Sequence, residues 1–367
     1  MLENEEFDDS FGEHSPAAYL KGLPQQGAIL PNYYATSHAS LGNYLAMISG
    51  QAPNIVTNND CEVFEDFVSK GMAPDGQAIG QGCVYPASVR TLANQLADAR
   101  LAWKGYMEDM GNNPQRESAT CGHPPIGAPD NTQIAEPGDQ YATRHNPFVY
   151  FHAIIHTPDC AHNVVNFKAL AADLQKVETT PNYVFITPNL CNDGHDGGDG
   201  AHCVDGAPGG MVSADRFLRE LVPQILASPA FKQDGLLIIT FDESEIVEVT
   251  QPGSSETKLK GDASHCCNEQ PGPNIPAYEE GAVGNWDRMN GPGIIGPGGG
   301  RIGAVLLSPY IRPGTVSTKA YNHYALLRSI EDIFGLSHLG FAAQKGLDPF
   351  GADVYTQPAG GRTAPNP

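Results

Sequence analysis

Two short runs of consecutive apolar residues constrain the fold of this chain more than any other feature. The runs are YVFIT at Tyr183–Thr187 and GLLIITF at residues 235–241. Short runs rich in β-branched residues are typical of strands covered on both faces, as in parallel sheets. Between them, residues 213–227 carry apolar side chains at helical spacing, which predicts a connecting helix. This order predicts an α/β fold with a mostly parallel central sheet flanked by helices.

Other segments continue the alternation of strands and helices. Further strands are predicted at residues 28–35, 101–107 and 302–307. One predicted helix carries Tyr44, Leu45 and Ile48 on one face and ends near Gly50. Two more are predicted, one capped by Ser88 and one at His323–Phe334. Because ligands gather at the carboxyl ends of parallel strands, we expect the functional site at that edge of the sheet.

The composition bears on how the chain divides into domains. At 367 residues it is long enough for one large domain or two smaller ones, and we expect a single domain at 1–348. With 41 Gly and 30 Pro, much of the chain must be loop. Loop-rich excursions are expected at 56–144 and 251–301, and an irregular, frayed tail at 349–367.

The charge balance limits the class of partner. Acidic residues outnumber basic ones by 42 to 21, so the protein repels phosphate backbones and anionic membranes. No basic patch opposes that field in the sequence, so no nucleic-acid partner is expected. An anionic substrate would need a bound cation to neutralise it, which is a first indication of a metal.

Eight cysteines indicate the compartment. None form a Cys-x-x-Cys pair, so disulfides in an oxidising compartment are favoured over a zinc ribbon. Neighbours along the chain predict the pairs Cys61 with Cys83 and Cys191 with Cys203. The adjacent Cys266 and Cys267 are expected to bond to different partners, because bonding to each other is geometrically awkward.

The start of the chain lacks a feature that exported proteins usually have. The cysteines favour a secreted, periplasmic or extracellular protein, yet the sequence has no signal peptide and no apolar run of transmembrane length. Met1 and Leu2 stand directly before an acidic motif, where an α/β protein would place a buried strand. We therefore expect an incomplete N-terminus.

Polar residues follow the two apolar runs directly. Asp242 and Glu243 come after the second run, and adjacent carboxylates at a strand end repel each other unless a cation lies between them. A solvated loop with a capping Asp is the alternative. After the first run, the string PNLCNDGHDGGDG brings Asp193 and His195 to a second strand end. A calcium site would explain the Asp and Gly content of this loop, whereas the imidazole of His195 suits zinc or a phosphoryl oxygen. A solvated histidine is the alternative.

Ser40 stands where the first long helix is predicted to begin. From the local sequence alone, a serine that caps the helix is the preferred interpretation. A nucleophile is the alternative, since backbone N–H groups and the positive helix end face whatever its hydroxyl touches. Its proton could be removed by a metal or by a neighbouring base, for which His38 is a candidate.

Taken in order, six segments resemble one known family. They are ENEEFDDSFG from Glu3, SHASLGNYLAMISG from Ser37, RHNPFVYF from Arg144, PNLCNDGHDG from Pro188, ITFDES from Ile239 and NHYALLRSIEDIFGL from Asn322. Together they resemble the bacterial phosphoesterase family, which contains acid phosphatases and phospholipases C and belongs to the alkaline phosphatase superfamily. The resemblance covers essentially the whole chain and implies an alkaline-phosphatase-like fold.

The resemblance also implies a metal site. Glu3 and Asn4 correspond to the first metal-binding pair of the family, and Asp242 with Glu243 to its later acidic pair. Ser40 corresponds to the nucleophile and also contacts the metal. These residues would surround one divalent cation, and Zn, Ca, Mn and Mg all stay open. Where this chain has Asp-Glu, relatives show Asp-Asp or Asp-His, which bears on metal preference.

Four more residues gain expected roles from the same resemblance. His145 and His195 correspond to catalytic positions whose imidazoles face the phosphoryl group in the acid phosphatase branch. Asp193 and His323 are weaker candidates for a second metal or phosphate site.

Three functions remain open from the sequence. The favoured one is a secreted, metal-dependent phosphomonoesterase of acid phosphatase type, acting on phosphorylated small molecules or lipids through a Ser40 phosphoserine. The second is a phosphodiesterase or phospholipase C with the same chemistry in a wider pocket. The third is a secreted binding protein that keeps the scaffold without catalysis.

Overall fold

The elements of the fold follow the predicted alternation, with more short strands than the sequence indicates. The computed structural model describes residues 1–198, 200–250, 257–275 and 297–356, with only the backbone of residues 247–250 and 257–260. Its strands are β1 (Ala28–Leu30), β2 (Tyr33–Tyr34), β3 (Val63–Phe64), β4 (Val68–Met72), β5 (Ala78–Gln81), β6 (Trp103–Met107), β7 (Ala128–Pro129), β8 (Val164–Asn166), β9 (Tyr183–Thr187), β10 (Leu237–Thr240), β11 (Val247–Thr250), β12 (Thr257–Lys260), β13 (Ala304–Leu307), β14 (Thr315–Val316) and β15 (Tyr321–Asn322). Its α-helices are α1 (Phe7–Phe11), α2 (Ala18–Gly22), α3 (Ser40–Ser49), α4 (Leu92–Asp98), α5 (His152–Ile155), α6 (Pro158–Asn163), α7 (Leu170–Asp173), α8 (Gly210–Ala227), α9 (Pro229–Asp234) and α10 (His323–Phe334).

Two sheets lie at the centre, and only one of them is wholly parallel. Strands β8, β6 and β9 form a three-stranded parallel sheet. The second sheet has the order β10-β13-β1-β14, and there β13 runs antiparallel to both β10 and β1. The α/β class is therefore confirmed, while β13 departs from the parallel pattern. For β13 to run parallel, the chain would have to cross the sheet from the end of β10 back to the end where β10 begins. Instead β13 begins beside the end of β10 and runs in the opposite direction.

The first residues of the chain join the two sheets. Leu2 forms a parallel bridge with Phe241, its N–H donating to the Thr240 oxygen at 2.9 Å. On the other side, the Glu3 N–H donates to the Asp193 oxygen at 2.9 Å. The backbone that carries Glu3 is thus held between the ends of β9 and β10.

Helices α3 and α10 pack against each other in the core, and both appear where the sequence predicts. Every residue of α3 is buried. It ends at Gly50, whose φ of 66° is left-handed and where an added Cβ would lie 2.3 Å from the Leu339 oxygen. Glycine is therefore required at that position.

The predicted cap of α4 is wrong. Thr91, and not Ser88, begins this helix, because the Thr91 hydroxyl accepts from the Asn94 N–H and the Asn94 side chain returns a bond to Thr91. That reciprocal arrangement satisfies two backbone donors at once, which a cap three residues earlier would not do.

The C-terminal segment is better packed than expected. Residues 349–356 contain no helix or strand, but Phe350 and Val354 are buried, and the Tyr321 hydroxyl donates to Asp353 at 2.8 Å. A frayed tail from Pro349 is therefore wrong for these residues. The rest of that prediction, residues 357–367, lies outside the described residues, as does much of the excursion at 251–301.

All eight cysteines form disulfides. The predicted pairs Cys61–Cys83 and Cys191–Cys203 are confirmed, and Cys121 bonds to Cys160. The expectation for Cys266 and Cys267 is wrong, because these neighbours bond to each other. The other six cysteines pair among themselves, so each of the two has only its neighbour left. Left-handed backbone at Cys267, with φ of 65°, accompanies this bond.

Of the helices in the described ranges, none combines the length and the apolar character needed to cross a lipid bilayer.

Candidate active site

Polar side chains from separate segments meet at the carboxyl ends of β9 and β10. The segments are the residues after Leu2, the start of α3, the turn at Thr143–His145, the loop after β9 and the loop after β10. Each is anchored by the sheet or by a buried helix. Of the residues that the sequence predicts for the site, those whose side chains meet here are Glu3, Ser40, His145, Asp193, Asp242 and Glu243. Asn4 reaches the cluster through its backbone N–H, which donates to Asp242 Oδ1.

Ser40 contacts a carboxylate and does not cap its helix. Ala39 occupies the N-cap position and Ser40 is the first helical residue. The Ser40 Oγ donates to Glu3 Oε2 at 2.9 Å, and the Tyr44 hydroxyl, one helical turn later, donates to Glu3 Oε1. Residues four apart lie on the same helix face, so both hydroxyls reach one carboxylate. The capping interpretation of Ser40 is therefore wrong.

His145 lies over the same carboxylate. Its Nε2 is 3.3 Å from Glu3 Oε2, and its Nδ1 is 3.7 Å from Asp193 Oδ2. The ring stacks on Tyr44, with centroids 5.4 Å apart. Burial lowers the pKa of His145 well below its usual range, so the ring is neutral. Neither ring nitrogen makes a hydrogen bond within the described part of the chain, which leaves both free for a ligand.

Four carboxylates are buried together here: Glu3, Asp193, Asp242 and Glu243. Burial and mutual repulsion raise the pKa of Glu3 well above its usual value, and burial raises those of Asp193 and Asp242. Burial raises the pKa of Glu243 to about 7. So many buried carboxylates cannot all ionise without a positive charge among them.

The donor set fits a divalent cation. Asp242 Oδ1 accepts from the Asn4 N–H at 2.9 Å, but Asp242 Oδ2 and Asp193 Oδ2 are buried with no hydrogen-bond partner among the described residues. Unsatisfied buried oxygens of this kind are costly unless a ligand occupies them. A different group of metal-type side chains, at Cys191, Cys203 and Asp205, is unsuitable because its two cysteines form a disulfide.

Glu243 holds the loop that precedes Ser40. Its Oε2 lies 2.5 Å from His38 Nδ1 and accepts from the Ala39 N–H at 3.2 Å. The second ring nitrogen of His38 is 2.9 Å from the Asp262 backbone oxygen. Both nitrogens of His38 are thus occupied away from Ser40. The suggestion that His38 acts as the base for Ser40 is not supported by this geometry.

The remaining predicted residues differ in their placement. His195 is about half exposed at the rim, where its bond to Asp196, together with the charge of Asp193, raises its pKa to about 9 despite burial of part of the ring. His323 is fully buried, with Nε2 2.6 Å from the Asp242 oxygen and Nδ1 3.1 Å from the Tyr33 hydroxyl. Both of its nitrogens serve to orient the Asp242 backbone, so His323 offers none to a second metal in this arrangement.

Sequence reasoning missed three residues at this site. The sequence places Tyr44 on the apolar face of a helix. Its position one turn after a candidate nucleophile could have indicated that its hydroxyl lies at the site. Asp60 accepts from the Leu41 N–H at 2.9 Å, and Arg144 is buried beside His145. Asp60 carries no local sequence signal, because a 3-10 turn from a different part of the chain brings it to α3.

The chain is similar to known proteins in sequence and in fold. The model of the Phosphoesterase family matches residues 9–337, a region that begins after Glu3 and Asn4. A probable acid phosphatase of Kluyveromyces lactis is 27% identical over 247 residues, covering 67% of this chain and 46% of that protein. A phosphate-repressible acid phosphatase of Penicillium chrysogenum is 29% identical over 244 residues, covering 66% and 47%. The chain therefore spans about half the length of these two fungal relatives.

Two further likenesses extend the comparison. The phosphatidylinositol-3-phosphatase of Mycobacterium tuberculosis is 23% identical over 326 residues, covering 89% of this chain and 72% of that protein. A solved structure from Vibrio parahaemolyticus, a protein in the alkaline phosphatase superfamily, aligns with a TM-score of 0.50 and 12% identity over 96% of this chain and 70% of that one. The fold is thus similar to that of the superfamily.

The relatives come from fungi as well as bacteria, so these matches do not indicate a bacterial origin for the chain. Because the family model matches residues 9–337, most of the chain, this protein belongs to the Phosphoesterase family.

Proposed function

We propose that this protein is a metal-dependent phosphomonoesterase in which Ser40 is the nucleophile. One observation carries the proposal: the Ser40 hydroxyl lies against Glu3 inside a group of buried carboxylates that includes oxygens with no partner among the described residues. A hydroxyl in this setting, at the first residue of a helix, has the positive helix end behind it and, beside it, a carboxyl group that would accept a proton once a bound cation held it ionised. The relatives named as acid phosphatases support the monoester substrate class.

The residues proposed to hold the metal are Glu3, Asn4, Ser40, Asp242 and Glu243. A divalent cation bound there would supply charge stabilisation for a phosphoryl group, a contribution of several kcal/mol. Glu3 and Asp242 are the better supported of these, because their carboxyl groups adjoin Ser40 in the buried cluster. Asp193, with its free Oδ2, is a further ligand candidate.

The chemistry of the protein side chains proceeds in two displacements. In the first, Ser40 Oγ attacks phosphorus as its proton passes to Glu3 Oε2, and the bond to the leaving alcohol oxygen breaks, with that oxygen taking a proton from water. In the second, a water molecule attacks phosphorus, the bond between phosphorus and Ser40 Oγ breaks, Ser40 recovers its proton from Glu3, and phosphate leaves, with inversion at each step and net retention. His195, protonated at neutral pH, and the neutral His145 are proposed to contact the phosphoryl oxygens.

Export is part of the proposal. Four disulfides restrain the chain, including one across each of the loops 61–83 and 191–203. Such bonds persist in oxidising compartments, which supports a secreted, periplasmic or extracellular protein.

A paired assay tests the function. Hydrolysis of p-nitrophenyl phosphate and of bis-p-nitrophenyl phosphate is compared on the purified protein, before and after chelation and after addition of Zn, Ca, Mn or Mg. We expect the monoester to be preferred, activity to fall on chelation, and one of the metals to restore it. A protein that takes up no stoichiometric metal and hydrolyses neither ester would instead be a binding protein. A preference for the diester would favour a phosphodiesterase.

A further inference from the structure

Arg144 has a guanidinium group that the protein itself uses only in part. The residue is 8% exposed and precedes His145 in the turn at Thr143–His145. One terminal nitrogen, Nη1, donates to the backbone oxygen of Gln133 at 3.1 Å and to its Oε1 at 3.3 Å. Across the described ranges, Nε and Nη2 make no hydrogen bond. One edge of this charged fork is therefore left without an acceptor among the described residues, and its nitrogens keep some accessible surface, since they are absent from the fully buried polar atoms that lack a partner.

Arg116 shows what a structural arginine looks like in the same region. Its Nη1 donates to the Asp139 backbone oxygen at 2.6 Å. Its Nη2 donates to the backbone oxygens of Asn131 and Ile134 at 3.0 and 2.8 Å. Both terminal nitrogens of Arg116 are thus occupied by the protein and tie its own segment to the connection between β7 and the turn at Thr143–His145. Arg144 differs because only one of its terminal nitrogens is held.

Contacts through Gln133 and Asp60 connect Arg144 to the nucleophile. Gln133, which receives Arg144 Nη1, donates from Nε2 to the Asp60 backbone oxygen at 2.9 Å. The Asp60 side chain in turn accepts from the N–H of Leu41, the residue after Ser40. On its other side, Arg144 adjoins His145, whose ring lies 3.3 Å from Glu3. The charge of Arg144 also interacts with those of Asp60, Glu3 and Asp193, which places the guanidinium close to the site that contains Ser40.

The charge of Arg144 is unusual for its surroundings. Burial acts to lower the pKa of Arg144, but the charges of Asp60, Glu3 and Asp193 raise it by more, so the group stays cationic. None of these carboxylates forms an ion pair with it within the described residues. A buried charge that lacks a contacting counter-ion is costly, and such groups are usually paired or bind a ligand. Arginine also presents its donors in a fixed fork suited to two oxygens of a phosphate.

We propose that the free edge of Arg144 binds a non-bridging oxygen of the substrate phosphate and makes the site selective for phosphomonoester dianions. A monoester carries two negative charges near neutral pH, whereas a diester carries one and replaces an oxygen by a second alkoxy group. A fixed cation at this position therefore favours the monoester. This assignment deepens the proposed function and rests on it for the identity of the reaction.

The test compares Arg144→Gln, Arg144→Lys and the matched control Arg116→Gln. Binding of inorganic phosphate is measured by calorimetry on the metal-supplemented protein, and kcat/KM is measured for p-nitrophenyl phosphate and its diester analogue. We expect Arg144→Gln to weaken phosphate binding by about 30-fold or more and to lower monoester kcat/KM by about 100-fold, since a charge-assisted pair is lost. Diester turnover is expected to fall by less than about fivefold, because a diester carries one negative charge fewer for the guanidinium to bind. Arg116→Gln is expected to lower the melting temperature and leave phosphate affinity within about twofold of wild type.

Arg144→Lys keeps the test decisive if the glutamine variant fails to fold. It retains the charge without the fork, so phosphate binding should weaken by about tenfold. The assignment is overturned if each folded Arg144 variant binds phosphate within about twofold of wild type, or if monoester and diester turnover fall by the same factor.

The same data separate this assignment from the proposed function. A wild type that hydrolyses neither ester, yet binds phosphate in a manner that Arg144→Gln weakens, contradicts the proposed function and supports the role of Arg144. A wild type that neither hydrolyses an ester nor binds phosphate contradicts both.

Discussion

Ser40 Oγ donates a hydrogen bond to Glu3 Oε2 over 2.9 Å, joining residues that stand 37 positions apart in the sequence. Each partner is fixed by a different element. Glu3 follows the bridge between Leu2 and Phe241, and Ser40 opens the fully buried α3. The bridge of Leu2 to the end of β10 and the start of α3 therefore position the carboxylate and the hydroxyl. Such preorganisation is what a nucleophile requires, since little reorganisation is then needed during reaction.

The acidic pair after β10 gives the first prediction. Replacing both carboxylates, in Asp242→Asn with Glu243→Gln, is expected to abolish metal binding and activity while the fold is kept. Amides of the same shape retain the backbone contacts but remove the charges that a cation needs. Metal content by mass spectrometry and circular dichroism check the two halves. The double variant Glu220→Gln with Asp234→Asn, at exposed positions, should bind metal normally. An active Asp242/Glu243 variant would mean that the metal lies elsewhere.

The cysteines give a second prediction. None of the eight is expected to react with a thiol reagent under denaturing, non-reducing conditions. Removing the pair that spans 39 positions, in Cys121→Ala with Cys160→Ala, should cost about 2–4 kcal/mol of unfolding free energy. Denaturant unfolding of the oxidised protein measures that difference. Recovery of most of the eight as free thiols would defeat both the pairing and the argument for export.

Glu331 gives a prediction about pH. It is buried in α10, where Oε1 accepts from the Leu339 N–H at 2.9 Å, and burial raises its pKa from 4.5 to about 8. A carboxyl group with a raised folded pKa contributes stability that is fully present below pH 4.5 and is lost as pH rises through 8. Glu331→Gln should therefore be more stable than wild type at pH 9, by about 1–3 kcal/mol, and similar to it at pH 5.

Urea unfolding at the two pH values measures the effect of Glu331→Gln. Glu220→Gln, at an exposed site on α8, serves as the control and should show no difference between them. If Glu331→Gln loses stability equally at pH 5 and pH 9, the group is ionised in the folded protein and its pKa is not raised.

Local sequence patterns predicted the elements that depend on local physics. The apolar run at Tyr183–Thr187 forms β9, and the apolar face through Tyr44, Leu45 and Ile48 forms α3 with its glycine stop at Gly50. In both cases the period and the terminating residue lie within one segment, so no distant partner has to be known. The placement of Thr91 as the cap of α4 was available in the same way, from the Thr-x-x-Asn spacing.

Features that depend on distant contacts were not accessible in this way. The direction of β13 is set by where its connection returns, and the Cys266–Cys267 bond by how the other six cysteines pair. At the site, the resemblance indicated Ser40 and Glu3, but Ser40 alone favours a helix cap. Only the structure adds that its hydroxyl points at a carboxylate. Nothing in the sequence marks Arg144 as a candidate site residue. It becomes one because part of its guanidinium has no acceptor among the described residues.

The role of Ser40 is tested by the turnover of Ser40→Ala, with trapping of the intermediate in the wild type. We expect the variant to fold, to bind metal and phosphate, and to lose at least about 1000-fold in kcat, because the covalent route is closed. Acid quenching of the wild type with labelled monoester should place the label on the peptide that contains Ser40. A variant that turns over within about tenfold of wild type, a barrier difference of only ~1.4 kcal/mol, with no label on Ser40 in the wild type, would mean that Ser40 is not the nucleophile.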